Sequence, residues 1–155
     1  MTNTNTNARP NATPRQRQIL FVVPGVPRGK GRPRFTRTGH AYTDDGTALY
    51  ENRIFLACKE AMECWDNEPF EEPVELSITA TFPVPLSAPK GRRAAMEQGA
   101  LLPAKKPDLD NILKAVLDGC NGTAYLDDRQ VVAIRARKIY GAAPGVAVLI
   151  RAAGE

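Results

Sequence analysis

Hydrophobic and polar residues follow two different periods along the chain, and these periods predict a series of strands and helices. Residues 19–23 form a continuous apolar run that ends at Pro24-Gly25, which is typical of a buried strand. From about residue 47 to residue 65, apolar residues recur every three or four positions, as on one face of an amphipathic helix. Residues 74–82 alternate apolar and polar side chains, which predicts a strand with one buried face.

The segment 83–107 breaks both periods. It is rich in proline, and we expect a loop that contains one short helix, capped by Ser87 and ended by Gly99. Because this segment connects a strand to a strongly charged stretch, it is expected to form a mobile flap over a substrate.

The last third of the chain returns to regular periods. A helix is predicted to begin between Asp108 and Asp110 and to end at Gly119 or Gly122. Alternation over residues 132–137 and 146–150 predicts two strands separated by a turn at 141–145. The order β-α-β-(α)-α-β-β predicts an α+β fold: a small mixed sheet with helices packed on one face, forming a two-layer sandwich.

A chain of 155 residues is the length of one domain. Residues 1–18 are rich in Asn, Thr and Arg and are predicted to form a disordered tail, which leaves a single domain over residues 19–152. The tail has no apolar segment of the kind found in secretory signals, and no apolar run approaches the roughly 20 residues of a membrane span. A cytoplasmic location is therefore expected.

The cysteine and histidine content excludes several classes of site. Cys58, Cys64 and Cys120 contain no C-x-x-C pair, so we expect reduced thiols that are buried as small hydrophobic groups. His40 is the single histidine in the sequence, which makes a histidine-based zinc site or catalytic triad difficult to build.

The net charge is +4, and the basic residues are clustered on both sides of an acidic stretch. Cations that flank carboxylates suit a phosphate backbone, because the cations hold the polymer while the carboxylates hold a metal ion. The alternative is ordinary solvated surface. The candidate DNA-binding residues are Arg28, Lys30, Arg32, Arg34, Lys90, Arg92, Arg93, Lys105 and Lys106.

The acidic stretch carries the candidate chemistry. Asp108 and Asp110 stand two residues apart, Lys114 follows at helical spacing, and Asp127-Asp128 lies downstream. Carboxylates held close together repel each other unless a cation binds them. Mg²⁺ and Mn²⁺ prefer such oxygen ligands, and either ion can activate water and polarise a phosphodiester. This set predicts a metal-dependent phosphoryl-transfer enzyme.

Each of these residues also has a purely structural interpretation. Asp108 or Asp110 can cap the helix that begins there. Asp127-Asp128 can form a polar turn. Lys114 can form an ordinary helical ion pair with Asp110 or with Asp118.

Four stretches together resemble the RusA-type Holliday junction resolvases, a family common in phages and prophages. They are residues 106–114 (KPDLDNILK), residues 117–119 (LDG) with 126–132 (LDDRQVV), and the basic segment 24–35 (PGVPRGKGRPRF). The resemblance extends over about residues 19–150.

The resemblance implies a Mg²⁺-dependent homodimer, with Mn²⁺ as an alternative ion, that resolves four-way DNA junctions by paired symmetric nicks during recombination and repair. By motif position, Asp108, Asp110 and Asp128 correspond to the metal-binding acids and Lys114 to the catalytic lysine. Asp127 corresponds to a neighbouring acid and is a further candidate metal ligand. Tyr125 stands near a position where many members have tryptophan. The resemblance also implies a bacterial host, with the protein on the nucleoid when bound to DNA.

Two other functions fit the same residues. One is a less selective nuclease of the same chemistry that removes branches from phage DNA. The other is a non-catalytic DNA-binding module, in which the acids only cap a helix and shape a turn.

Overall fold

The computed structural model describes residues 16–154. It contains six strands, β1 (Gln18–Pro24), β2 (Arg34–Phe35), β3 (Ala41–Tyr42), β4 (Val74–Pro83), β5 (Val131–Gly141) and β6 (Gly145–Ala152), and three α-helices, α1 (Asp45–Met62), α2 (Lys90–Glu97) and α3 (Leu109–Cys120). Most of the predicted tail, residues 1–15, lies outside the described residues, and β1 begins at Gln18.

Four strands form one mixed sheet in the order β1-β6-β4-β5. β4 pairs in parallel with β5 and antiparallel with β6, and β1 pairs antiparallel with β6. β5 and β6 are consecutive in the chain but lie on opposite sides of β4, so their short connection passes the end of β4. The predicted mixed sheet is confirmed.

Helices pack against one face of this sheet, as the α+β prediction required. α1 buries Tyr50, Ile54, Cys58 and Met62 at helical spacing, and the sheet buries alternate residues of β1, β4 and β6 opposite them. α3 crosses α1 at Gly119, where an added Cβ would lie 2.6 Å from Cγ2 of Ile54. This close approach fixes α3, and therefore its N-terminal end, relative to the sheet.

The predicted helix at residues 47–65 is confirmed, with a one-turn 3₁₀ helix at Glu63–Trp65 after α1. The prediction that Ser87 caps α2 was wrong, because Ala88 donates to the carbonyl of Pro85 and places Ser87 inside a turn. Pro89 is the N-cap residue instead. Gly99 does follow α2, with a φ of +79°.

The cysteine prediction was partly wrong. All three thiols are free, and Cys58 and Cys120 are buried next to each other, but Cys64 is exposed. The hydrogen bond to Cys58, together with burial, raises the pKa of the Cys120 thiol. Of the helices within residues 16–154, none combines the length and the apolar character needed to cross a bilayer.

Candidate active site

The N-terminal end of α3 carries the first pair of acids. Asp108 is the N-cap residue, with an extended backbone, and its carbonyl accepts from the amides of Asn111 (3.1 Å) and Ile112 (3.2 Å). Its carboxylate makes no capping hydrogen bond to any residue in the range 16–154. Asp110 follows in the first turn, where the helix dipole favours negative charge. Both carboxylates are exposed, so the helix end presents two acceptor groups to solvent.

Lys114 lies one turn further along the same face of α3. Its Nζ is 3.7 Å from Oδ2 of Asp110, with side-chain exposures of 61% and 68% for the lysine and the acid. An exposed pair at this spacing is worth only about 0.3–0.5 kcal/mol. Both groups therefore remain available to a ligand. The sequence also allowed an ion pair between Lys114 and Asp118. In the structure, Asp118 instead contacts Lys30.

The second acidic pair follows α3 on a separate turn, and its two members differ. Asp127 accepts from the amide of Arg129 (3.0 Å), while Gln130 accepts from the amide of Asp127 (2.9 Å), which forms a capping box. The hydrogen bond from Arg129 lowers the pKa of Asp127. Asp128 is exposed at the start of this one-turn helix. The side chain of Asp127 therefore caps the one-turn helix that follows it.

Tyr125 anchors this turn to the core. It is fully buried, and its hydroxyl donates to the carbonyl of Leu117 (2.9 Å). Burial, with a smaller contribution from nearby negative groups that include Asp128, raises the pKa of Tyr125 well above its ordinary value. Tyr125, which stands near a position where many members of the resembled family have tryptophan, therefore connects the turn to α3.

The predicted acids form two pairs. Within residues 16–154, no group of three or more His, Cys, Asp or Glu side chains is close enough to hold a metal ion. The donor chemistry of Asp108 and Asp110 nevertheless suits Mg²⁺, because this ion is usually held by one or two carboxylates together with substrate phosphates and water. Asp108 and Asp110 are therefore the residues that could hold such an ion.

A cleft of about 780 Å³ lies beside Asp108. One wall is the basic segment 27–32, which we call the arm, and the other contains Lys106, Pro107, Asp108 and Asn111. We call this space the arm cleft. Arg28, Lys30 and Arg32 of the arm line it together with Lys106, so four of the predicted DNA-binding residues face the same cavity.

Backbone contacts hold the arm against α3. The amide of Lys30 donates to the carbonyl of Asn111 (2.9 Å), and the amide of Gly31 lies 3.3 Å from Oγ1 of Thr47. Gly29 approaches α3 so closely that an added Cβ would lie 2.7 Å from Cβ of Asn111. The sequence predicted an extended basic segment here but did not indicate this attachment.

The side chain of Lys30 also holds the arm. Its Nζ contacts the carboxylate of Asp118 on α3 and lies 3.5 Å from Oε1 of Glu51 on α1. The hydrogen bond to Asp118 is the main cause that raises the pKa of Lys30 above its ordinary value. Lys30 therefore connects the arm to both helices.

The remaining predicted DNA-binding residues lie in three other places. Arg34 is on β2, 3.6 Å from the carboxylate of Asp44. Lys90, Arg92 and Arg93 lie on α2, where Arg93 donates to the carbonyl of Leu86 (3.1 Å). Lys105 lines a second cleft of about 580 Å³, which shares Lys106 and Asp108 with the arm cleft.

The second cleft also contains Lys138, which the sequence interpretation did not select. The sequence did indicate that Lys138 is unusual. It occupies the same phase of β5 as Ile134 and Ala136, where the alternation leads one to expect an apolar residue. Its register partner, Ala80 on β4, is fully buried.

The sequence of the chain is similar to known proteins. The family profile described as Endodeoxyribonuclease RusA matches residues 24–151. A protein of Bacillus subtilis (strain 168), named "Uncharacterized protein YqaN", is 34% identical over 136 residues, which are 86% of this chain and 95% of that protein.

Proposed function

The chain belongs to the endodeoxyribonuclease RusA family, and from that premise we propose that it resolves four-way DNA junctions as a Mg²⁺-dependent homodimer that makes paired, symmetric nicks. The observation that supports this proposal best is the position of Asp108. It stands where the arm cleft meets a second lysine-lined cleft, so a carboxylate lies between two sets of cations.

The two acids at the start of α3 are the proposed metal ligands. Asp108 and Asp110 are exposed, and Asp108 makes no capping bond within the described part of the chain, so both carboxylates are free to bind an ion. Bound Mg²⁺ supplies Lewis-acid activation of the phosphodiester and of the attacking water. The two carboxylates would hold the Mg²⁺ ion together with oxygen atoms of the DNA.

Lys114 is the proposed catalytic cation. It lies on the same face of α3 as Asp110, at 3.7 Å, and is exposed, so its ammonium group can reach a phosphate that lies beside Asp110. An ammonium group in this position stabilises the negative charge that develops on the phosphate oxygens in the transition state. Asp128 is proposed as a further catalytic acid, although within residues 16–154 it forms no three-acid group with Asp108 and Asp110. The buried Tyr125 holds its turn against α3.

The arm is the proposed clamp on the DNA backbone. Its cations, Arg28 and Arg32, line the cleft that leads to Asp108. Because the arm is attached through a backbone hydrogen bond from Lys30 to Asn111 on α3, it holds the DNA backbone in a fixed position relative to the acids. Phosphate contacts of this type position a substrate without reading its sequence.

Cleavage of a synthetic four-way junction in the presence of Mg²⁺ tests the proposal. We expect paired nicks at symmetric positions, and we expect EDTA to stop cleavage while junction binding persists. Asp108→Asn, Asp110→Asn and Asp128→Asn should each abolish cleavage, because each removes a proposed catalytic carboxylate. Each variant should still fold and bind the junction, because the substituted side chain is exposed. Unimpaired cleavage by Asp110→Asn would contradict the site assignment.

Three-way and linear duplexes of the same sequence measure selectivity. Equal cleavage of all three substrates would favour a less selective nuclease that acts on branched DNA. Junction binding without nicking at any Mg²⁺ or Mn²⁺ concentration would instead indicate a DNA-binding module that lacks catalysis.

A further inference from the structure

The second cleft contains a group of cations, two of which lie over aromatic rings. We call it the lysine cleft; Lys105, Lys106 and Lys138 line it together with Asp108 and Leu109. Nζ of Lys105 lies 5.7 Å from the ring centre of Phe82 and 5.6 Å from that of Tyr140. Nζ of Lys138 lies 5.2 Å from the same Phe82 ring and donates to the carbonyl of Lys105. Two ammonium groups therefore share one aromatic side chain.

These lysines have no acidic partner in the part of the chain that the structure describes. Among residues 16–154, no carboxylate lies within 4.0 Å of the ammonium group of Lys105, Lys106 or Lys138. An aromatic face attracts a cation, but it does not neutralise the repulsion between two cations that share it. An anion bound between them would remove this repulsion.

The position of Lys138 in the sheet also points to a ligand. It lies in the inward phase of β5, beside the buried Ala80 of β4, and is half-buried at the strand end. Partial burial of a lysine side chain at this position costs side-chain entropy and partial desolvation of its charge. The lysine places a positive charge in the lining of the cleft.

We propose that the lysine cleft binds a phosphodiester of the DNA substrate, with Lys138 and Lys105 as its cationic ligands. This proposal rests on the proposed function and extends it. The arm cleft and the lysine cleft share Lys106 and Asp108, so a strand that is held by Arg28 and Arg32 in the arm cleft continues past Asp108 into the lysine cleft. The scissile phosphate then lies between two backbone contacts, one on each side of the acids.

Junction binding in EDTA tests this proposal separately from catalysis, because the metal-dependent step is absent. Lys138→Gln should weaken binding about 3- to 10-fold at physiological salt. It should also reduce the slope of log K against log salt concentration by about 1, as expected for the loss of one phosphate contact. Lys138→Arg should restore most of the affinity and the slope, because the charge returns.

Lys59→Gln is the matched control. Lys59 also lies over an aromatic ring, at 5.9 Å from the centre of Phe55, but it is on α1 and lines neither of the clefts at Asp108. Its loss should leave binding and the salt slope unchanged. A thermal melt of each variant separates an effect on DNA from an effect on folding, and Lys105→Gln replaces Lys138→Gln if the latter fails to fold.

Three results would overturn the proposal. In the first, Lys138→Gln folds normally and binds the junction with the affinity and salt slope of Lys59→Gln. In the second, Lys138→Arg loses as much affinity as Lys138→Gln, which would show that packing rather than charge is responsible. Competition by inorganic phosphate at the concentration of DNA phosphate would also contradict a site that selects a backbone diester.

The outcome is distinguishable from failure of the proposed nuclease function. If Lys138→Gln weakens junction binding but the wild-type protein does not nick DNA in Mg²⁺, the phosphate subsite is supported and the proposed nuclease function is contradicted. If Lys138→Gln cleaves and binds the junction as the wild type does, the nuclease function is supported and the phosphate subsite is contradicted.

Discussion

At the scale of single residues, similar side chains in this protein have different surroundings, which the sequence does not distinguish. Asp127 and Asp128 are adjacent, but the first is part of a capping box and the second is exposed. Lys30 and Lys114 are both candidates for a role at the phosphate, yet Lys30 contacts two carboxylates while Lys114 contacts one at the helix surface. Substitutions at these positions should therefore separate stability from activity.

Lys114→Ala should reduce the cleavage rate by about 10²–10³-fold, the loss that follows removal of one group stabilising transition-state charge. Its effect on stability should stay within about 0.5 kcal/mol, because the Asp110–Lys114 pair is exposed. Single-turnover cleavage and junction affinity, measured side by side, check this prediction. A loss of affinity as large as the loss of rate would show that Lys114 binds the ground state instead.

Lys30→Gln should lower the free energy of unfolding by about 0.2–1 kcal/mol, because it removes the positive charge between Asp118 and Glu51. The pKa of Lys30 is raised in the folded protein, so its contribution is complete below the unfolded-state pKa of about 10.4 and is lost as pH rises through the higher folded-state value. Urea unfolding between pH 7 and pH 11 should therefore show a steeper alkaline loss in the wild type than in the variant. Arg32→Gln, which lies on the same arm, is the control.

At the scale of elements, the regular periods predicted helices and strands well, and the irregular segments less well. α1 and β4 were predictable because their buried residues repeat at helical or strand spacing over many positions. The short β2–β3 hairpin was missed, since two-residue strands have no period. The attachment of the arm was also not predictable, because it depends on backbone amides and on the absent side chain of Gly29.

Gly29→Ala should displace the arm and weaken junction binding. The added Cβ would lie 2.7 Å from Cβ of Asn111 and 3.1 Å from Cβ of Pro107, which are short distances against rigid atoms. Overpacking of this type costs about 1–3 kcal/mol. It should break the hydrogen bond between the Lys30 amide and Asn111, so hydrogen exchange of that amide should accelerate.

Gly91→Ala is the control for this substitution. Gly91 lies on α2, and among the described atoms none is within 4 Å of the position its Cβ would take. Alanine should raise helix stability there by about 0.5–1 kcal/mol and leave junction affinity unchanged. Equal affinity of Gly29→Ala and Gly91→Ala would show that the arm does not clamp the DNA.

At the scale of the whole molecule, the fold class was predictable but the strand order was not. Element order gave an α+β sandwich, whereas the insertion of β4 between the consecutive strands β5 and β6 depends on long-range pairing that leaves no local signal. The candidate site shows the same division. The acids and most of the cations were visible as residue types, but the meeting of two clefts at Asp108 depends on the packing of α3 against α1 through Gly119.

Two acidic centres are expected to act on one four-way junction. Each chain contributes one Asp108–Asp110 pair at the start of α3. Under the proposed function, this pair serves one scissile phosphate, whereas resolution of a four-way junction requires two nicks. Two chains must therefore act together on one substrate if the proposed function is right. A homodimer with two-fold symmetry places two equivalent centres across the junction.

Coexpression of wild-type and Asp110→Asn chains tests this arrangement on a supercoiled plasmid that carries a cruciform. Paired nicks within one binding event give a linear product, while one nick relaxes the cruciform and gives a nicked circle. An excess of the inactive chain should therefore convert the product from linear to nicked circular, because most active chains then have an inactive partner. Coexpression with Lys59→Gln, which lies away from both clefts, should leave the linear product unchanged. If the mixture with Asp110→Asn gives linear product in proportion to its wild-type content, the two nicks are not made by paired chains.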